Sequence, residues 1–110
     1  MNFKVSIESA ASHLSKEKLQ HFTTVMRNGS MSVEYYKPIE KDLQSPHLQD
    51  ELYVIASGRA IFFRNDERVD CKTGDVLFVP AGMVHRFEEF SPDFATWVIF
   101  YGPEGGETAV

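Results

Sequence analysis

From His21 onward the chain runs in short apolar segments separated by turn-forming residues, a pattern that predicts β-strands. Residues His21 to Arg27 and Met31 to Tyr36 flank Asn28-Gly29, a dipeptide that accepts the positive φ angles of a tight hairpin. Pro38 to Pro46 is polar and reads as a loop. Glu51 to Ser57 is an apolar strand closed by Gly58, and Ala60 to Arg64 with Arg68 to Lys72 predicts a second hairpin around Asn65-Asp66. Thr73-Gly74-Asp75 turns the chain into Val76 to Val79, and Pro80-Ala81-Gly82 turns it again into Val84 to Phe87. After Ser91-Pro92-Asp93 comes Ala95 to Tyr101, the most hydrophobic segment, and then a turn-rich tail. Near the N-terminus, the small residues from Ser9 to Leu14 suit one short helix. Many short strands with so little helix predict an all-β sandwich or barrel.

Composition narrows the picture. A length of 110 residues predicts a single domain spanning 1–110, and 43% hydrophobic content with nine Phe is enough for a packed core. A formal charge of −5 argues against a nucleic-acid surface, which needs a basic face. Cys71 stands alone, so no internal disulfide is expected, and it reads as a small buried residue. The N-terminus has no apolar run after a basic start, and no stretch is long enough to span a membrane. The expectation is a cytoplasmic protein without a membrane partner.

Two imidazoles and a carboxylate stand out. If the chain is extended from Ser45 to Ile55, then Ser45, His47, Gln49, Glu51, Tyr53 and Ile55 share one face. A glutamate leading an apolar strand is costly unless it is paired or metal-bound. His85 follows a Pro-x-Gly turn and shares a face with Phe87, which places a second imidazole on an inward side. His47, Glu51 and His85 therefore form a candidate site for a divalent metal such as Fe, Ni, Zn or Mn, with positions left open for water or substrate. Taken singly, Glu51 could cap a turn and His85 could be a satisfied core histidine; their joint spacing favours the metal. Tyr53, Phe87, Trp97, Ile99 and Tyr101 are candidates to line the barrel, with Tyr53 and Phe87 nearest the metal. Met83 would gate the mouth or fill a gap. His13 and His21 read as surface residues, and Glu88-Glu89 as a solvated turn.

These blocks resemble the two signature motifs of the cupin superfamily. The stretch at about 74–89 contains Gly74 to His85 (GDVLFVPAGMVH), which matches the second motif throughout; Glu51 to Gly58 (ELYVIASG) matches the end of the first, at about 45–58. The resemblance implies a double-stranded β-helix, or jelly roll, with a metal in the barrel mouth held by His47, Glu51 and His85. Two departures matter. Ser45 stands where the family usually has its first histidine, and Glu89 where the second motif ends in asparagine. The family's fourth ligand is thus missing, and water or Gln49 would fill its place.

Three functions remain open at this point. One is a metal-dependent enzyme, oxygenase- or isomerase-like, acting on a small molecule with oxygen donors, with Tyr53 as the proton donor. Another is a non-catalytic cupin that binds a small molecule or metal. The third is a structural cupin with no metal. Sheet edges on a small β domain favour self-association, and the resemblance makes a homodimer the first guess, with the N-terminal hairpin as an exchange element.

Overall fold

The alternation along the chain becomes eight strands and one helix in a computed structural model, which describes residues 3–17, 21–42 and 44–108. The helix α1 spans Ile7–Ser15. The strands are β1 (Phe22–Asn28), β2 (Met31–Tyr36), β3 (Asp50–Ser57), β4 (Arg59–Arg64), β5 (Glu67–Lys72), β6 (Val76–Val79), β7 (His85–Glu88) and β8 (Ala95–Tyr101). Both expected hairpins form: β1 pairs with β2 across Gly29-Ser30, one residue later than expected because Asn28 still pairs with Met31, and β4 pairs with β5 across Asn65-Asp66.

All pairing is antiparallel. One sheet has five strands in the order β1-β2-β8-β3-β6, and the other has three in the order β5-β4-β7. The two pack face to face as a jelly roll. Between them lie Tyr53 and Ile55 from β3, Val79 from β6, Val98 and Phe100 from β8, Phe62 from β4 and Phe87 from β7. Each inward set repeats every second residue, as a pleated strand requires. Among the described residues no helix is long and apolar enough to cross a membrane.

The helix begins earlier than its small residues suggested, because the Ser6 hydroxyl accepts from the Ser9 backbone N–H at 3.1 Å and caps it. Ala10 is buried with Tyr35, Ala56 and Ala95, forming a smaller cluster on the outside of the large sheet. That cluster corrects the reading of β8. Trp97 packs there, its ring 5.3 Å from Tyr35, while Val98 and Phe100 take the inward positions that Trp97, Ile99 and Tyr101 were expected to fill. A strand covered on both faces carries no polar alternation from which to read its facing.

Glu88 also differs from expectation. It is the last residue of β7, and its carboxylate accepts from Arg68 Nε at 2.8 Å and Arg86 Nε at 2.7 Å. Glu89 does form the turn that follows, at φ +47°.

Candidate metal centre

The three sequence-derived donors arrive from different parts of the fold. Glu51 is the second residue of β3, paired with Val79 on one side and Phe100 on the other, so it lies in the large sheet. His85 opens β7 in the small sheet and faces it across the barrel. His47 lies in the loop before β3, its ring 4.8 Å from Phe100 and 5.6 Å from His85.

Backbone amides hold that loop against the turn that precedes His85. The Gly82 N–H donates to the His47 carbonyl at 2.8 Å, and the Asp50 carboxylate accepts from Ala81 N at 2.9 Å and Glu107 N at 2.8 Å. These charge-assisted bonds hold the Asp50 carboxyl below the usual carboxylate range. The Pro-x-Gly turn thus both aims His85 and anchors His47.

One ligand-capable atom from each of His47, Glu51 and His85 lies within 4.8 Å of the other two. Glu51 is 1% exposed and His85 3% exposed. Glu51 Oε1 stands 3.0 Å from His85 Nε2, but the two are not in hydrogen-bond alignment. Among the described residues, neither Glu51 oxygen nor His85 Nε2 has a hydrogen-bond partner, although all three atoms are buried. Orphaned polar atoms in a core are costly, so three converging on one point fit a group that would satisfy them together.

The tautomer agrees. His85 Nδ1 lies 2.9 Å from the Met83 carbonyl, which can only accept, so Nδ1 carries the proton and Nε2 keeps its lone pair for a ligand. Burial pushes the His47 pKa below its ordinary value, the direction that keeps an imidazole neutral. Burial works the same way on His85, but the Glu51 carboxylate and the Met83 carbonyl outweigh it and raise the value. Two imidazoles and one carboxylate suit a borderline divalent ion.

The other expected site residues have distinct places. Tyr53 is 0% exposed, with its ring 4.9 Å from Phe87 and 6.0 Å from His85. Burial first, and the charge of Glu51 second, hold its hydroxyl well above the ordinary phenol range. Gln49 is turned away from the triad: its amide nitrogen donates to the Ser30 carbonyl at 2.8 Å and the Gly102 carbonyl at 2.9 Å. The strand starts at Asp50, so the face expected to carry Ser45, His47 and Gln49 in line with Glu51 does not form, and Ser45 is exposed. Met83 packs against the main core. Cys71 is buried, which pushes its thiol up to about 11.

Three further residues escaped the sequence reading. Asp42, buried in the loop after β2, accepts from Tyr36 Oη at 2.5 Å and from Phe87 N at 2.8 Å. Gln44 follows it, with its side-chain oxygen 3.4 Å from His47 Nε2 and accepting from Tyr53 Oη at 3.0 Å. Glu34 on β2 joins His47, Gln49, Phe100 and Glu104 in lining a cleft of about 630 Å³ at the mouth. Burial and the nearby Glu51 charge raise the Glu34 pKa. Asp42 and Gln44 lie in irregular backbone, where no periodicity marks them; Glu34 is an acidic residue on an apolar strand, the same signal that revealed Glu51.

Comparison with known proteins agrees with this fold. The cupin domain family model matches residues 32–101, and the chain belongs to that family. An uncharacterised protein from Streptomyces coelicolor is 40% identical over 81 residues, covering 72% of this chain and 77% of that protein. An acireductone dioxygenase from Frankia alni is 40% identical over 65 residues, 54% of this chain but only 31% of the enzyme's length. Among solved structures, a cupin superfamily protein from Desulfitobacterium hafniense superposes with a TM-score of 0.62 at 22% identity, covering 82% of this chain and 84% of that one.

Proposed function

We propose that this chain is a small cupin metalloprotein with one divalent metal held by His47, Glu51 and His85, acting as a metal-dependent enzyme on a small molecule. The carrying observation is the set of buried, unpartnered atoms on Glu51 and His85 that converge with His47. A bound metal would supply Lewis acidity and, if it is iron, the capacity to activate dioxygen. Residues of the chain do the rest. His85 is fixed by the Met83 carbonyl, Phe100 and Phe87 give the site apolar walls, and the cleft beside His47 admits a ligand. The partial likeness to a dioxygenase supports oxygenase-like chemistry over isomerase-like chemistry.

A non-catalytic binding protein is the second reading, and one observation favours it. Tyr53, the residue named for proton donation, is fully buried and its hydroxyl already donates to Gln44. Dioxygen consumption by the iron-loaded protein on diketones, thiols or phenols would decide for the enzyme. Stabilisation by such a compound without turnover would decide for binding.

The site itself is tested by elemental analysis of untagged protein beside His47→Ala and His85→Ala. About one metal per chain is expected in the wild type, and none in His85→Ala. A His85→Ala variant that still holds stoichiometric metal would overturn the assignment. A homodimer is the partner state proposed for the cytoplasm, because β1 and β6 leave two edges on the large sheet. A single monomeric species in sedimentation velocity would rule it out.

A further inference from the structure

We infer that the side-chain carbonyl of Gln44 is the protein's fourth donor to the metal, filling the role left vacant by Ser45. This rests on the metal reading above.

Four observations carry it. First, Gln44 Oε1 lies 3.4 Å from His47 Nε2 in a hydrogen bond; the carbonyl can only accept, so the imidazole donates, and an ion bound at Nε2 would take the place of that proton beside the amide oxygen. Second, the amide has a defined direction. Its nitrogen donates to Asp42 Oδ2 at 2.9 Å; a carboxylate only accepts, so the carbonyl must point the other way, toward His47 and Tyr53. Third, the anchor is fixed. Asp42 also accepts from the backbone N–H of Gln44 at 3.1 Å, from Tyr36 Oη, and from the N–H of Phe87, two residues beyond His85 on β7. The segment bearing Gln44 is thereby tied to the strand that bears His85. Fourth, the two positions from which the sequence suggested a replacement are elsewhere: Ser45 is exposed, and the Gln49 amide is bonded to Ser30 and Gly102.

An amide oxygen has two lone pairs. Tyr53 Oη takes one at 3.0 Å, and the other accepts from His47 Nε2 until a metal displaces that proton. The chemical consequence is a set of two nitrogens and two oxygens in place of three nitrogens and one oxygen. Because the amide is neutral, as an imidazole is, the charge of the set does not change. The harder donor biases the site toward ions that accept oxygen ligands, such as Fe(II) and Mn(II), and away from softer ones.

The probe is Co(II), titrated against a competing chelator and followed by its visible d–d absorption. Wild type, Gln44→Ala, Gln44→Met and Ser45→Ala are compared after circular dichroism has confirmed folding. Gln44→Met keeps the length of the side chain without its oxygen, so it serves if the alanine variant fails to fold. Both Gln44 variants are expected to lose about tenfold or more in affinity and to shift the d–d bands, while Ser45→Ala keeps wild-type binding. Wild-type affinity and spectrum in Gln44→Met would overturn the inference. So would a matching loss in Ser45→Ala, which would mean that the segment as a whole and not the Gln44 oxygen supports the ion. If the wild type itself takes up no Co(II), the metal reading fails and this inference falls with it.

Discussion

Gly58 joins β3 to β4 at φ +75°, and a Cβ built there would approach Ser91 Oγ to 2.5 Å and the Phe94 backbone to 2.8 Å. The neighbouring loop has no room to retreat, because the Ser91 N–H donates to the Arg59 carbonyl at 2.9 Å and its hydroxyl accepts from Arg59 N at 3.0 Å. Gly58→Ala is therefore expected to cost about 2–4 kcal/mol, from left-handed strain and overpacking together. Gly29, at φ +59° with nothing within 4 Å of a built Cβ, supplies the control and should lose only about 1–2 kcal/mol. Urea midpoints at unchanged slope measure both; equal losses would refute the steric account. The same residue-scale logic explains what was legible. Gly58, Gly74 and Gly82 mark turns by conformation, and Glu51 marks itself by being a charge on an apolar strand. Asp42 and Gln44 could not be found this way, because what makes them important is a partner distant in sequence. Asp42 meets Phe87 across 45 positions, and nothing local to Asp42 announces that contact.

At the scale of elements, hairpins were the most readable feature, since turn chemistry and strand pattern agree there. The segment before β3 was not, because Pro46 and the bonds from Gly82 and Gly105 to His47 and Leu48 keep it irregular where alternation alone suggests extension. His47 still reaches the triad, but from a loop and not from a strand face. The facing of β8 was misread for a different reason. The helix covers its outer side through Ala10, so Trp97 is sheltered as well as Val98, and hydrophobicity ceases to say which face is inward. Edge strand β6 shows how local pattern and exposure can part. Val76 and Phe78 are apolar yet exposed, and Arg64 Nη1 donates to the Phe78 carbonyl at 3.0 Å, occupying a backbone acceptor that another strand could otherwise pair with.

For the whole molecule, the triad matters because Glu51 and His85 belong to opposite sheets, so a metal between them would cross-link the two layers of the core. Binding only to the folded state, a metal at a hundred times its dissociation constant adds about 2.7 kcal/mol. For a domain of this size that corresponds to a melting temperature higher by on the order of 10 °C, which a chelator should remove. The apo protein, in contrast, keeps a buried carboxylate and a buried imidazole nitrogen without partners. Glu51→Gln replaces the buried carboxylate beside His85 Nε2 with a neutral amide and so removes the cost of burying that charge. At a pH above the raised His85 pKa, where the imidazole is neutral, this substitution is expected to stabilise the apo protein by about 1–3 kcal/mol while abolishing the gain from metal, the opposite sign from a structural carboxylate. Thermal melts of both proteins with chelator and with added Fe(II) or Mn(II) read the two effects separately. A Glu51→Gln variant less stable than wild type under chelation would show that the carboxylate supports the fold by itself, and that the strain at this site is not kept for a metal.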